Sequence, residues 1–78
     1  MNTERPETLQ ELQDIIGNAI KRKRLQLRLS QMALAEESEL DLSYVGRIER
    51  GEVNPSIEKL LKIAQVLGCP VRDLLLEE

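Results

Sequence analysis

The sequence predicts an all-α domain, and three observations lead to that fold class. First, the apolar residues are mostly Leu, Ile, Val and Ala, with Tyr44 as the one aromatic residue, a composition that favours helices over pleated strands. Second, these apolar residues recur at spacings of three and four. Third, helix caps, prolines and glycines separate the apolar stretches. A chain of 78 residues makes one compact domain that buries roughly 60% of its unfolded surface, which leaves no room for a large enclosed cleft.

The first predicted helix is long and amphipathic and runs from about residue 9 to residue 27. Thr8 followed by Glu11 is a capping-box pattern at its start. Its apolar positions have helical spacing and are Leu9, Leu12, Ile16, Ala19, Ile20 and Leu27. Residues 1–8 are predicted to form a flexible segment, so that the folded domain spans residues 9–78.

Two short helices are predicted next, with few residues between them. Ser30 and Asp41 stand at N-cap positions for helices over residues 31–38 and 42–50, and Gly51 stands where a left-handed residue ends the second of these. Two helices joined so closely have the geometry of a helix-turn-helix. In that motif one helix lies across the DNA backbone and the next enters the major groove.

The last two predicted helices begin at prolines. Pro55 takes the first position of a helix over residues 55–67, which Gly68 ends, and Pro70 opens a short final helix. Three apolar side chains of the final helix are expected to face inward: Val71, Leu74 and Leu75.

The scarcity of reactive side chains argues against metal, redox and enzymatic chemistry. The chain has no His, and Cys69 is its one cysteine, so neither an internal disulfide nor a thiolate metal site can form. No nucleophile and base pair, phosphate loop or metal cluster can be assembled from these residues. We therefore expect no cofactor and no enzymatic activity. We expect Cys69 to be a buried, inert thiol, with a redox sensor as the alternative.

The lack of a long apolar run predicts a cytoplasmic protein that does not contact a membrane. Residues 1–14 are polar and acidic, unlike a signal peptide. No apolar run approaches the roughly 20 residues that a membrane span needs.

Charge is distributed unevenly along the chain, although the net charge is −3. Residues 21–28 contain no acid, whereas the N-terminal stretch before them is acidic. The basic residues of this run are Lys21, Arg22, Lys23, Arg24 and Arg28. The run is a candidate basic patch for a polyanion, and the alternative is a solvated helix face.

A spaced series of residues runs through all five predicted helices. Its members are Leu29-Ser30-Gln31, Ala33-Leu34-Ala35-Glu36, Leu40-Asp41-Leu42-Ser43-Tyr44-Val45, Arg47-Ile48-Glu49-Arg50-Gly51, Asn54-Pro55-Ser56 and Leu60-Leu61-Lys62-Ile63-Ala64. The series resembles the phage-repressor and Cro type of helix-turn-helix regulator, also called the xenobiotic-response-element family, over about residues 16–76. The Leu-Asp-x-x-Tyr part is also similar to controller proteins of restriction-modification systems. The resemblance implies a compact, five-helix, repressor-like DNA-binding domain.

The resemblance also implies a set of DNA-contacting residues: Arg28, Ser30, Gln31, Leu42, Ser43, Tyr44, Arg47 and Arg50. Gln31 is implied to contact a phosphate and to buttress the recognition helix, and the alternative is an exposed first-turn residue. Ser30 is implied to cap its helix so that the first backbone amides face a phosphate, although capping alone also explains this serine.

In the third helix, the side chains of residues 42, 43 and 47 are expected to point into the groove, because Val45 and Ile48 are needed for the core. Arg47 is the expected base reader, since an arginine can donate two parallel hydrogen bonds to guanine O6 and N7. A phosphate contact is the alternative for Arg47. Ser43 can bond a base or a phosphate, and Leu42 can touch only a thymine methyl or a sugar.

The resemblance further implies an internal ion pair and two less usual positions. Arg24 and Glu49 are implied to form a partly buried pair that locks the recognition helix, so that Arg24 is structural. The Tyr44 hydroxyl is implied to reach a phosphate while its ring packs the turn, and simple core packing is the alternative. Glu39 stands where the family has glycine, and a left-handed backbone there would cost about 1 to 2 kcal/mol.

These observations predict a sequence-specific transcriptional regulator that binds double-stranded DNA as a homodimer on an inverted repeat. One helix-turn-helix of this size reads too few base pairs to single out a genomic site, and two-fold pairing doubles the site. The expected dimer surface is the C-terminal region with Val66, Val71, Leu74, Leu75 and Leu76, and the competing surface is the N-terminal turn with Leu9 and Leu12. The alternative function is a helical protein-interaction module, such as an antitoxin, with secondary DNA binding, which the negative net charge favours.

Overall fold

The described part of the chain folds into four α-helices followed by a short 3-10 helix. The structure is a computed structural model that describes residues 8–76. The elements are α1 (Leu9–Gln26), α2 (Gln31–Ser38), α3 (Leu42–Glu49), α4 (Ile57–Leu67) and a terminal 3-10 helix (Val71–Leu75). The predicted all-α class is confirmed, but the fifth predicted helix is of the 3-10 type. Within residues 8–76, none of the helices has the length and apolar character to cross a membrane.

The start of α1 carries the expected cap. Thr8 is the N-cap residue, and its Oγ1 accepts a hydrogen bond from the backbone N–H of Glu11 (3.0 Å). The hydroxyl also donates to the Glu11 carboxylate (3.1 Å), which completes a local polar cap. Thr8 therefore caps α1, and residues 1–7 of the predicted flexible segment lie outside the described residues.

The start of α4 differs from the expectation. This helix begins at Ile57 and not at Pro55, because Ser56 is its N-cap. The Ser56 hydroxyl accepts a hydrogen bond from the backbone N–H of Lys59 (3.2 Å), which satisfies one of the amides that a helix start leaves unpaired. The cap at Ser56, and not Pro55, therefore sets where α4 begins.

The prediction that Leu75 of the last helix faces inward is also wrong. Leu74 is fully buried, whereas Leu75 is 41% exposed. Side chains three residues apart share a face of a 3-10 helix, so Val71 and Leu74 face the core together. Leu75 then lies off that face and remains in contact with solvent.

The core is aliphatic and lies between α1 and the other helices. Helix α3 packs against both α1 and α2, while the terminal 3-10 helix contacts α1 and α4. The buried side chains are those of Ile16, Ala19, Ile20, Leu34, Ala35, Val45, Ile48, Leu60, Ile63, Ala64, Leu67 and Leu74. Burial of these residues holds α2 and α3 in a fixed relative orientation.

All four α-helices end with a hydrogen bond that spans six residues and encloses a left-handed residue, the pattern of a Schellman motif. The N–H donors and carbonyl acceptors are Leu29 and Arg24, Leu40 and Ala35, Glu52 and Arg47, and Cys69 and Ala64, at 2.9–3.1 Å. The left-handed residues are Arg28, Glu39, Gly51 and Gly68. The left-handed backbone expected at Gly51 and considered for Glu39 is confirmed. At Glu39 (φ 61°) it is strained, because a Cβ atom disfavours this region.

α1 crosses the end of α3 at a glycine. A Cβ atom on Gly17 would lie 2.5 Å from the carbonyl oxygen of Ile48 and 2.7 Å from that of Glu49. Only a residue without a side chain lets the two backbones approach so closely. The contact fixes the C-terminal end of α3 against α1.

Candidate nucleic-acid interface

The turn between α2 and α3 leaves one face of α3 in solvent. Residues 39–41 join the two helices. Leu42, Ser43 and Arg47 are exposed, as expected for residues that would enter a groove, whereas Val45 and Ile48 are buried. Ser43 and Arg47 are one helical turn apart, so their side chains lie on the same face. This face can present one hydroxyl and one guanidinium to a ligand.

Arg24 and Glu49 form a buried ion pair beneath that face. The Arg24 Nε lies 2.7 Å from Glu49 Oε2, and Arg24 Nη2 donates to Glu49 Oε1 at 3.0 Å. The two side chains are 9% and 2% exposed, respectively. The hydrogen bond to Glu49 raises the pKa of Arg24 above its ordinary value, against the effect of burial. The pair ties the end of α3 to α1 and takes Arg24 out of the basic surface.

Two further groups complete the surroundings of this pair. Arg24 Nη1 donates to the carbonyl of Leu29 (2.8 Å), and Gln31 Nε2 donates to Glu49 Oε1 (2.9 Å). Gln31 therefore contacts α3 directly, which is the geometry of a buttress. Because a primary amide nitrogen carries two hydrogens, the same group can still donate to a phosphate.

The start of α2 is organised around Ser30. Its Oγ accepts a hydrogen bond from the backbone N–H of Ala33 (2.9 Å), so its capping role is established by geometry. Arg28 is exposed two residues earlier, in the left-handed conformation (φ 58°). The positive end of the helix dipole and the Arg28 charge thus occupy one region of the surface.

Gly46 leaves room for two polar side chains against α3. A Cβ atom there would lie 3.1 Å from Arg50 Nη1 and 3.6 Å from Gln31 Oε1. The Arg50 guanidinium and the Gln31 amide therefore converge over the same position of α3. A Cβ atom at this position would be tight only against the end of the Arg50 side chain, which would have to shift by a few tenths of an ångström.

Arg50 makes a second ion pair, with Glu52. Arg50 Nε lies 2.8 Å from Glu52 Oε2, and Arg50 Nη2 donates to Glu52 Oε1 at 3.2 Å; the side chains are 58% and 50% exposed. The hydrogen bond from Arg50 lowers the pKa of Glu52, and the charges of Arg50 and Arg47 act in the same direction. The sequence pattern does not predict this pair, because a spacing of two residues after a helix end matches no helical charge pattern.

Tyr44 lies at the edge of the interface and is half-buried. Its ring packs against the core, and Lys59 Nζ lies 4.9 Å from the ring centroid, within reach of a cation–π interaction. Burial raises the pKa of the Tyr44 phenol, while the charge of Arg47 acts in the opposite direction. The ring is thus part of the packing, and the phosphate contact of its hydroxyl remains a prediction.

A pair of glutamines at the start of α1 holds the loop after α3. Gln10 Nε2 and Gln13 Nε2 both donate to the carbonyl of Gly51, at 2.8 and 2.9 Å. Gln10 also donates to Asp14 (2.9 Å). The apolar spacing of α1 does not predict these contacts, because polar residues on a long helix are normally solvated.

The surfaces expected to dimerise differ in exposure. In the C-terminal region Leu75 and Leu76 are exposed, Val66 and Val71 are partly buried, and Leu74 is buried in the core. At the N-terminal turn Leu9 is exposed, whereas Leu12 packs against the core. Each surface therefore offers fewer apolar side chains than the sequence suggested.

Cys69 is partly buried beside the core. Burial raises the pKa of its thiol, which disfavours the reactive thiolate. This environment agrees with an inert thiol.

Known proteins similar to this chain share the helix-turn-helix arrangement of α2 and α3. Residues 20–74 match the model of the HTH_3 family, described as helix-turn-helix, and the chain belongs to this family of DNA-binding transcriptional regulators. The resemblance inferred from the sequence is thereby confirmed.

Three relatives show how far the similarity extends. The chain is 40% identical over 63 residues to the immunity repressor protein of Bacillus phage phi105, which covers 81% of this chain and 44% of the repressor. It therefore spans less than half the length of that protein. The controller protein C.AhdI from Aeromonas hydrophila is 40% identical with a TM-score of 0.77, covering 80% of this chain and 94% of that one. The N-terminal DNA-binding domain of SinR from Bacillus subtilis is 39% identical with a TM-score of 0.79, covering 83% and 96%.

Proposed function

We propose that the protein is a sequence-specific regulator of transcription that binds double-stranded DNA as a homodimer, with α3 in the major groove. The observation that carries the proposal is the exposed face of α3 with Ser43 and Arg47, above the buried pair of Arg24 and Glu49. A base-reading helix must be held in one orientation, because hydrogen bonds to base edges depend on direction. The buried pair supplies that support.

Arg47 is the base reader in this proposal. Its exposed guanidinium can donate two parallel hydrogen bonds to a guanine, which discriminate against other bases by about 1 to 3 kcal/mol. Ser43 lies beside it on the same face and bonds a base or a phosphate, and Leu42 touches a thymine methyl or a sugar.

The remaining contacts are assigned to the DNA backbone. Gln31, the first amides of α2 behind Ser30, Arg28, the Tyr44 hydroxyl and Arg50 contact phosphates. Such contacts set the position of the protein on the duplex and carry no sequence information themselves. They also make binding weaken with added salt, because counterions are released.

The dimer places two recognition helices on an inverted repeat. Half-sites lie about 34 to 36 Å apart, so that both helices enter successive major grooves on one side of the duplex. The exposure of Leu75 and Leu76 supports the C-terminal surface as the dimer contact, and the exposure of Leu9 supports the competing surface. A regulator of this kind acts in the cytoplasm, where its DNA lies, and needs neither a cofactor nor a catalytic group; the regulator names of its relatives support a non-enzymatic role.

The test is selection of duplexes from a random pool by the full chain, followed by binding measurements and sedimentation with the selected duplex. We expect a palindromic consensus, two protein chains per duplex and affinity that falls steeply with salt. A selected pool without a consensus contradicts sequence-specific binding. One chain per palindromic duplex contradicts the dimer.

A protein-interaction module is the second candidate function. The net charge of −3 and the exposed apolar side chain of Ile57, which is 78% exposed on α4, favour it. Salt-insensitive capture of a partner protein by a chain with no measurable affinity for duplex DNA would support this function over the first.

A further inference from the structure

The exposed pair of Arg50 and Glu52 lies on the surface that the proposed function assigns to DNA. We propose that Glu52 binds the Arg50 guanidinium in the free protein and so competes with DNA phosphates for it. This competition lowers the affinity of the protein for duplexes of any sequence. The inference rests on the proposed function and adds an opposing residue to it.

The contact uses the same geometry that an arginine uses with phosphate. Nε and Nη2 of Arg50 each face one oxygen of the Glu52 carboxylate, at 2.8 and 3.2 Å. The planar guanidinium offers this parallel fork equally to a carboxylate and to a phosphate. The two anions therefore compete for the same donors.

The position of Arg50 puts this competition at the interface. Arg50 follows the last residue of α3, and its Nη1 lies over Gly46 beside the Gln31 amide. The guanidinium is thus held where α2 and α3 meet on the exposed side. Arg47 is also close enough for its charge to lower the pKa of Glu52. The Glu52 carboxylate therefore interacts with both arginines.

The exposure of the pair makes it exchangeable. The Arg50 and Glu52 side chains are each about half exposed or more, and exposed ion pairs contribute little to stability. A phosphate can therefore displace the carboxylate without disturbing the fold. By contrast, the buried Glu49 that holds Arg24 is nearly inaccessible, and no ligand can replace it.

The consequence is a penalty that does not depend on sequence. When Arg50 turns to a phosphate, its ion pair with Glu52 is lost, and the free energy of that pair is subtracted from the new contact. Phosphates are present at every site, so the penalty applies equally to a selected duplex and to an unrelated one. Glu52 sets the strength of binding and leaves base preference to α3.

The test compares Glu52→Gln with Glu37→Gln. Both substitutions remove one negative charge from an exposed residue, but Glu37 lies elsewhere, beside Lys62 and Gln65. Affinity is measured by fluorescence anisotropy with a labelled duplex of about two helical turns of unrelated sequence and with the duplex selected by the wild type. Thermal unfolding of each variant verifies the fold.

We expect Glu52→Gln to tighten binding of both duplexes by roughly three- to fivefold near 0.1 M salt, the size expected for one surface ion pair. The slope of log affinity against log salt should stay close to that of the wild type, because Arg50 contacts the same phosphate in both complexes. Glu37→Gln should leave affinity close to that of the wild type. In an Arg50→Ala background, Glu52→Gln should have no such effect, because the guanidinium that it releases is gone.

Three results would overturn the inference while wild-type binding stands. These are unchanged affinity in Glu52→Gln, an equal gain in Glu37→Gln, and the same gain without Arg50. The second result would point to net charge alone and the third to simple repulsion from DNA. A wild type that binds neither duplex overturns the proposed function, and the inference with it.

Discussion

Replacement of Glu49 by alanine should destabilise the fold far more than replacement of Glu52. Both carboxylates accept two hydrogen bonds from an arginine, at 2.7 and 3.0 Å for Glu49 and at 2.8 and 3.2 Å for Glu52. The pairs differ in burial, since the Glu49 and Arg24 side chains are almost inaccessible and those of Glu52 and Arg50 are not. The comparison therefore contrasts a buried pair and an exposed pair that share the same two-bond contact.

The magnitude follows from what Glu49→Ala leaves behind. Arg24 keeps its bond to the Leu29 carbonyl but loses its counter-charge in a site that water scarcely reaches, and Gln31 loses its acceptor. An uncompensated buried charge of this kind costs about 3 to 5 kcal/mol. A chain of 78 residues has a total stability of roughly 4 to 12 kcal/mol, so the variant should lose a large part of it. Glu52→Ala exposes nothing that was buried, and its unfolding curve should match that of the wild type.

The assay is urea unfolding followed by far-UV circular dichroism for both variants and for the double variant Arg24→Met/Glu49→Leu. The double variant removes both charges and should recover most of the lost stability, because apolar residues of similar volume replace a buried pair well. Equal unfolding midpoints for Glu49→Ala and Glu52→Ala would refute the reasoning. So would a double variant as unstable as Glu49→Ala, since the loss would then not come from the unpaired charge.

Three further predictions concern base reading, backbone strain and packing. Arg47→Ala should reduce the affinity ratio between the selected and an unrelated duplex, whereas Gln31→Ala should weaken binding to both; equal losses for Arg47→Ala on the two duplexes would contradict base reading. Glu39→Gly should raise the free energy of unfolding by about 0.5 to 1 kcal/mol, because glycine relieves the left-handed strain, while the control Glu36→Gly inside α2 should lower it by about 1 kcal/mol. Absorbance titration of the one tyrosine, Tyr44, should give a midpoint above the ordinary phenol value because burial raises its pKa, and a midpoint at the value of the unfolded chain would show that the ring is not buried.

The division between base and backbone contacts remains a set of predictions about named residues. The exposure of Leu42, Ser43 and Arg47 and the burial of Val45 and Ile48 agree with the helical spacing read from the sequence. Exposure makes a contact with DNA sterically accessible for each of these three side chains.

Local signals in the sequence determined the class of fold and most helix bounds. Apolar spacing predicted α1 to α3 to within a residue, because burial of one face is a property of a single helix. Thr8, Ser30 and Gly51 were recognised as cap positions for the same reason, since a cap bonds to its own helix end. The spaced series of residues identifies the family. The resemblance to that family, and no local pattern, predicts the pairing of Arg24 and Glu49.

The tertiary structure decided which charged residues remain on the surface. The basic run of residues 21–28 appears uniform in sequence, but Arg24 is drawn inside by a carboxylate 25 residues away. Arg50 is exposed yet already occupied by Glu52, and Gln13 is buried against a carbonyl 38 residues away. Such contacts depend on how helices cross, at positions such as Gly17, and crossing geometry is set by the packing of the whole core. A pattern along the chain records which face of a helix is apolar, but the polar partner of a side chain is chosen only when the helices meet.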